Sequence, residues 1–327
     1  MPVEFYKKSG EPEDPERLKS RALVYRKRAE AAKKENPELE SLLARIDFQW
    51  IKRRMETLLS KSGKSPEEIN FLGPESVVPG RTDGDVAIYR NNANQIFIDL
   101  DKIKSVSTER TLLPNIIHII IHEEIHAVSR NKCAGLFERD SDGFLRVNIQ
   151  SGYTQLHVET GPEAFEDIAY CLFDEGVTEK ITQELTVDYF KSHPDSYEYK
   201  KAQAYYDSDE TKKSYILPTS LVDAMISKIA NETGFSKQMV WQAIVRGKIE
   251  GEDLSDPDFE SMFAEIFTPD FIRSLAEATE EDELRLISMI ESLDLEKNDP
   301  DLLARIKKRI EVAAQIHKER LQQHKAE

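Results

Sequence analysis

Apolar positions recur along this chain in two rhythms, one helical and one alternating. "PERLKSRALVYRKRAEAAKK", Pro15 to Lys34, predicts a helix with Asp14 as N-cap and Pro15 at the first helical position. From Pro37 to Lys61 the residues Leu42, Leu43, Ile46, Trp50, Ile51, Met55 and Leu58 return at helical spacing and predict a second. The first 13 residues are polar and expected to be loose. "KSGKS" and "LGPESVVPGRTDGD" carry loop chemistry and close this helical region. "DVAIYR" and "QIFIDL" then read as strands joined by "NNAN", and "FLRVNI" and "TQLHVE" as a second hairpin around "QSGY".

Between the hairpins, Leu113 to Arg130 predicts a helix that is apolar nearly all round, hence buried. Pro162 to Phe190 reads as helix interrupted by Gly176, and Pro194, Pro218, Gly234, Gly247 and Gly251 punctuate further helices. From Glu280 two more helices are expected, split at "NDPD", the last an amphipathic bundle helix. The expected fold is α+β and predominantly helical, with a small sheet beside the buried helix. The breaks suggest three regions: 1–68, helical and basic; 69–250, the core; and 251–327, helical.

Charge changes this picture in one respect. The net charge of −16 argues against general nucleic-acid binding. Yet Glu16 to Lys64 holds 14 Lys/Arg against 7 Asp/Glu, a local +7 that leaves −23 on the remainder. Two solvated helix faces would explain it; a propeptide-like plug over an acidic cleft would too, and then a chain starting near Phe71 should be the more active. Cys133 and Cys171 are too few for a disulfide framework. No signal peptide is visible and no apolar run approaches the ~18 residues of a membrane span, so a cytoplasmic protein without membrane partners is expected.

The buried helix contains "IIIHEEIHA", residues 119–127. Imidazoles and carboxylates are costly to bury without partners. His122 and His126 are four apart, on one helical face, where both can bind one ion; Glu123 can reach a water held there. This is HExxH, two zinc ligands and a general base, and Zn2+ is the expected cofactor. The competing reading is a pair of hydrogen-bonded core histidines. A catalytic zinc wants a third protein ligand. The pattern HExxHxxGxxH is excluded, because Ser129 and Lys132 stand where it needs glycine and histidine. A glutamate from a later helix fits instead: in "DEGVTE", Glu175 can bind the metal while Glu179, one turn on, fixes a ligand imidazole from behind.

HExxH followed by "DEGVTE" resembles the gluzincin metallopeptidases. The resemblance covers His122 to Glu179, with Asp174 where Asn is commoner and 49 positions from His126 to Glu175. It implies a zincin-like catalytic core over 69–250 with His122, His126 and Glu175 as ligands, Glu123 as base and Glu179 in support. It implies a peptide or protein substrate held along a sheet edge, and an oxyanion donor. The donor candidates are Tyr153, His157, Tyr170, Tyr205, Tyr206 and Tyr215, with Tyr215 preferred for its place before a helix. No "GxMEN" segment of the kind that holds a free N-terminus is present. His118, one turn before His122, is either a further support or a satisfied core histidine. Cys133 is either a reversible fourth ligand or an inert buried thiol. The expected function is a zinc metallopeptidase; the alternative is a zinc-binding regulatory protein that does not cut.

Overall fold

The computed structural model describes residues 3–61, 65, 69–80, 82, 85–107, 111–139, 141–161, 164–194, 216–252, 254 and 266–292. The fold is α+β and predominantly helical, with two small sheets. Among the described residues no helix is long and apolar enough to cross a membrane.

The N-terminal region runs β1 (Glu4–Tyr6), α1 (Pro15–Lys34), α2 (Pro37–Leu43) and α3 (Phe48–Lys61). Asp14 caps α1 as expected, its side chain accepting from Glu16 N. The helix expected over Pro37–Lys61 is two helices. Asp47 divides them, because its carboxylate accepts from Trp50 N at 2.9 Å and starts α3 afresh. The supposedly loose N-terminus contains a strand: β1 pairs in parallel with β5 (Asn131–Ala134), Phe5 opposite Cys133. Leu39, Ile51, Met55 and Leu59 are buried in the common core. Asp47 N donates to the Tyr189 hydroxyl at 2.8 Å. The basic region is therefore fastened to the body through buried contacts.

The smaller sheet has the order β2–β4–β3: β2 (Val77–Pro79) parallel to β4 (Gln95–Ile98), and β3 (Ala87–Arg90) antiparallel to it. β2 lies where loop chemistry was expected; its two valines are buried. The β3–β4 turn is Asn91–Asn94, with Asn94 at φ +51°, a conformation asparagine tolerates. β3 is an edge strand. The larger sheet runs β1–β5–β6–β7–β8, with β6 (Arg146–Ser151), β7 (Thr154–Glu159) and β8 (Phe165–Ala169) forming an antiparallel meander. Helix was expected from Pro162, but Phe165–Ala169 is strand, paired with Gln155–Glu159. Tyr170 at φ +60° breaks the strand, and only then does α6 (Cys171–Ser192) begin.

α4 (Leu100–Val106) and α5 (Leu112–Val128) follow the small sheet. α5 carries HExxH and packs against α3, α4, α6 and β3, which accounts for its all-round apolarity. α7 (Ile216–Thr233) lies along α6, and α8 (Lys237–Glu250) against both. α9 (Pro269–Ala276) and α10 (Glu283–Ser292) complete the described chain. The tail helices beyond residue 292 and the preferred donor Tyr215 lie outside the described residues.

Candidate metal centre

Three donors converge between α5 and α6. His122 Nε2 and His126 Nε2 are 3.3 Å apart. Glu175 presents one carboxylate oxygen to each, at 3.1 Å from His122 Nε2 and 3.2 Å from His126 Nε2. Four donors held about 2.0–2.1 Å from one zinc ion at tetrahedral angles lie about 3.3–3.4 Å from one another. The His122–His126 edge matches that figure; the two Glu175 edges are slightly shorter and end on different oxygens, so the carboxylate straddles the two imidazoles.

Proton placement sharpens the fit. His122 Nδ1 lies 3.2 Å from Glu179 Oε2, and His126 Nδ1 lies 3.5 Å from Asp174 Oδ2. With a hydrogen on each Nδ1, within hydrogen-bond reach of Glu179 for His122 and at ion-pair distance from Asp174 for His126, both Nε2 atoms present lone pairs. Two lone pairs and a carboxylate then face one point with no donor among them. A cation there satisfies all three. In the metal-free form a proton does part of this work. Burial pulls His122 down, but Glu175 and Glu179 more than offset it and hold the imidazole well above its ordinary value. Burial pushes Glu175 up, and the two imidazoles overcome it, leaving the carboxyl well below its ordinary value.

Glu123, beside the first histidine, is 8% exposed. Its Oε2 accepts the Tyr89 N–H of edge strand β3 at 2.6 Å. Burial raises the carboxyl above its ordinary range, against the pull of His122 and His126. The adjacent Glu124 is fully buried and turned elsewhere, accepting from Leu72 N at 3.0 Å, and burial raises it well above its ordinary value.

Glu179 stands behind His122 and serves three neighbours. Its carboxylate meets His122 Nδ1 and His118 Nε2, each at 3.2 Å, and accepts from Gln183 Nε2 at 3.0 Å. Burial raises it, and the His118 and His122 rings reverse the effect and hold it down at about 2. His118 is buried and joined through Nδ1 to Thr186 Oγ1 at 3.3 Å, so the histidine left open between two readings backs the same carboxylate as His122.

The other expected residues divide. Tyr153 is buried and its hydroxyl donates to Ile244 O at 2.7 Å. Tyr170 is buried at the start of α6, and His157 sits on β7 against Asn148. Tyr205, Tyr206 and Tyr215 are outside the described residues. Cys133 is buried in β5, which pushes its thiol up to about 11.

Sequence reasoning missed two supports. Tyr89 acts through its backbone N–H, which leaves no mark on residue type. Lys248, fully buried on α8, lies 2.7 Å from Asp174 Oδ2. Compared with known proteins, the chain matches no family model, no curated protein and no solved structure.

Proposed function

We propose that this chain is a zinc-dependent metallopeptidase, with His122, His126 and Glu175 as ligands and Glu123 as general base. The observation that carries this reading is the convergence of two imidazoles and a carboxylate on one point, beside the buried carboxylate of Glu123. Two imidazoles and a carboxylate are a zinc donor set that leaves one coordination position for water or substrate. The ion would polarise a peptide carbonyl and acidify the attacking water.

The remaining chemistry belongs to the chain. Glu123 takes a proton from water as its oxygen bonds to the carbonyl carbon. It delivers a proton to the amide nitrogen as the C–N bond breaks. The Tyr89 N–H holds the carboxylate in place meanwhile. β3, which pairs with no second strand among the described residues, offers its backbone groups other than the Tyr89 N–H to an extended peptide next to the base. A purely structural zinc site has no use for an ionisable carboxylate at this position. That consideration favours hydrolysis over the alternative, a zinc-binding regulatory protein that does not cut.

The test is cleavage of a peptide library by zinc-loaded protein, read by mass spectrometry, with Glu123→Gln as control. Cuts made by the wild type and absent from the variant support the peptidase. A chain that holds one tight zinc and makes no cuts supports the regulatory protein.

A further inference from the structure

The two ligand imidazoles are backed unequally. Glu179, behind His122, is shared with a second imidazole and an amide. Asp174, behind His126, faces a lysine. Its Oδ2 lies 2.7 Å from Lys248 Nζ, and its Oδ1 accepts the Tyr153 N–H at 2.8 Å. Both partners of the ion pair are 0% exposed.

The lysine is brought there by a built arrangement. Arg130, two residues past α5, donates its N–H to Ile249 O at 3.1 Å. Gln150 of β6 donates to Gly251 O at 3.0 Å, and the Tyr153 hydroxyl holds Ile244 O. The last turn of α8 is thus fastened to the end of the HExxH helix and to the β6–β7 hairpin. Gly152, at the head of that hairpin, leaves open the space where Asp174 and Lys248 meet: a Cβ there would lie 2.6 Å from Asp174 Oδ1 and 3.0 Å from Lys248 Nζ.

We propose that Lys248 is a positioning residue of the metal centre: its ammonium keeps the Asp174 carboxylate in place beside His126 Nδ1, 3.5 Å away, and through His126 it sets the affinity for the ion. This rests on the metal reading given above. A ligand imidazole needs an acceptor on its far nitrogen to fix its ring and tautomer, and losing such a partner costs about 10–100-fold in metal affinity. Without Lys248 the carboxylate is a buried charge with no cation. The structure relieves that by displacing Asp174 towards water, and the displacement takes the acceptor from His126. Asparagine in place of Asp174 keeps a carbonyl acceptor for His126 without the charge. The acid and the lysine are therefore replaceable together and not singly.

The experiment compares the full chain with Lys248→Met, Asp174→Asn and the double variant. Zinc affinity is read by competition with a chromophoric chelator, and ligand geometry by the visible spectrum of the cobalt-loaded protein. The expected result is a loss of about 10–100-fold in each single variant, with an altered cobalt spectrum. The double variant should return to within about 3-fold of wild type, with its spectrum restored. Wild-type affinity in Lys248→Met overturns the proposal, as does a double variant no better than the singles. If a single variant does not fold, the double variant decides: folded with wild-type zinc affinity supports the coupling, and otherwise it falls. A wild-type chain that binds no zinc overturns the metal reading itself, and this proposal with it.

Discussion

Gly152→Ala separates two costs that usually travel together. Gly152 has φ +57°, and an added Cβ would lie 2.6 Å from Asp174 Oδ1 and 3.2 Å from Lys248 Cγ, against a normal contact of roughly 3.5 Å. Moving Asp174 aside would break the Tyr153 N–H bond to its Oδ1 and the ion pair of its Oδ2 with Lys248. The left-handed backbone costs alanine about 1–2 kcal/mol. Overfilling a packed site adds about 1–3 kcal/mol, for a total of about 2–5 kcal/mol. Gly143 is the control: its φ is +83°, and nothing lies within 4 Å of a Cβ built there. Gly143→Ala should show the backbone cost alone, about 1–2 kcal/mol. The assay is urea unfolding of both variants with chelator present, comparing midpoints at unchanged slope. Equal losses in the two variants would refute the packing described around Asp174.

Glu123→Gln should bind zinc like wild type and lose at least about 100-fold in peptide cleavage; lost zinc would instead place Glu123 among the ligands. Glu179→Gln should weaken zinc about 10–100-fold in a chelator competition, and unchanged affinity would sink its role behind His122. The chelated protein should lose stability on both sides of its pH range. Glu175 and Glu179 are held below their ordinary value of 4.5, so their contribution is present above that pH and lost as pH falls towards about 2. His122 is held above 6.5, so its contribution is full below that pH and lost as pH rises through the raised value; burial-raised Glu123 and Glu124 pull the same way. Zinc should flatten the alkaline limb of the thermal midpoint, and a chelated protein that keeps gaining stability above neutrality contradicts the reading. Finally, a chain starting at Phe71 lacks β1 and the buried Leu39, Ile51, Met55 and Leu59. At about 2–5 kcal/mol for truncating a single such side chain, the four together cost about 8–20 kcal/mol, as much as a typical total stability of about 5–15 kcal/mol. Circular dichroism should show it unfolded; a folded and more active product would restore the plug.

What could be read from the chain was what local pattern encodes. The HExxH helix stood out because α5 buries nearly every side and so repeats isoleucine without a polar stripe. Glu175 and Glu179 were legible because helical spacing puts them one turn apart. β1 was not legible: three residues make a strand only when Lys132–Ala134 is there to pair with them. β8 was read as helix because no turn signal separates Phe165–Ala169 from α6; the break is the backbone of Tyr170. Lys248 is one of 45 lysines and arginines, and its burial follows from where Arg130 and Gln150 fasten α8. Supports that depend on tertiary placement carry no local signature, and the two found here, Tyr89 N–H and Lys248, are of that kind.

The pairing of β1 with β5 also sets an order of events during synthesis. Phe5 meets Cys133, 128 positions later, and Asp47 meets Tyr189, 142 positions later. At about 5–20 residues per second the first strand waits roughly 6–25 s on the ribosome for its partner. Through that interval the apolar faces of α2 and α3 have no core to enter. β1, α2 and α3 are made before the elements that complete them, and their apolar faces stay uncovered until α6 has emerged.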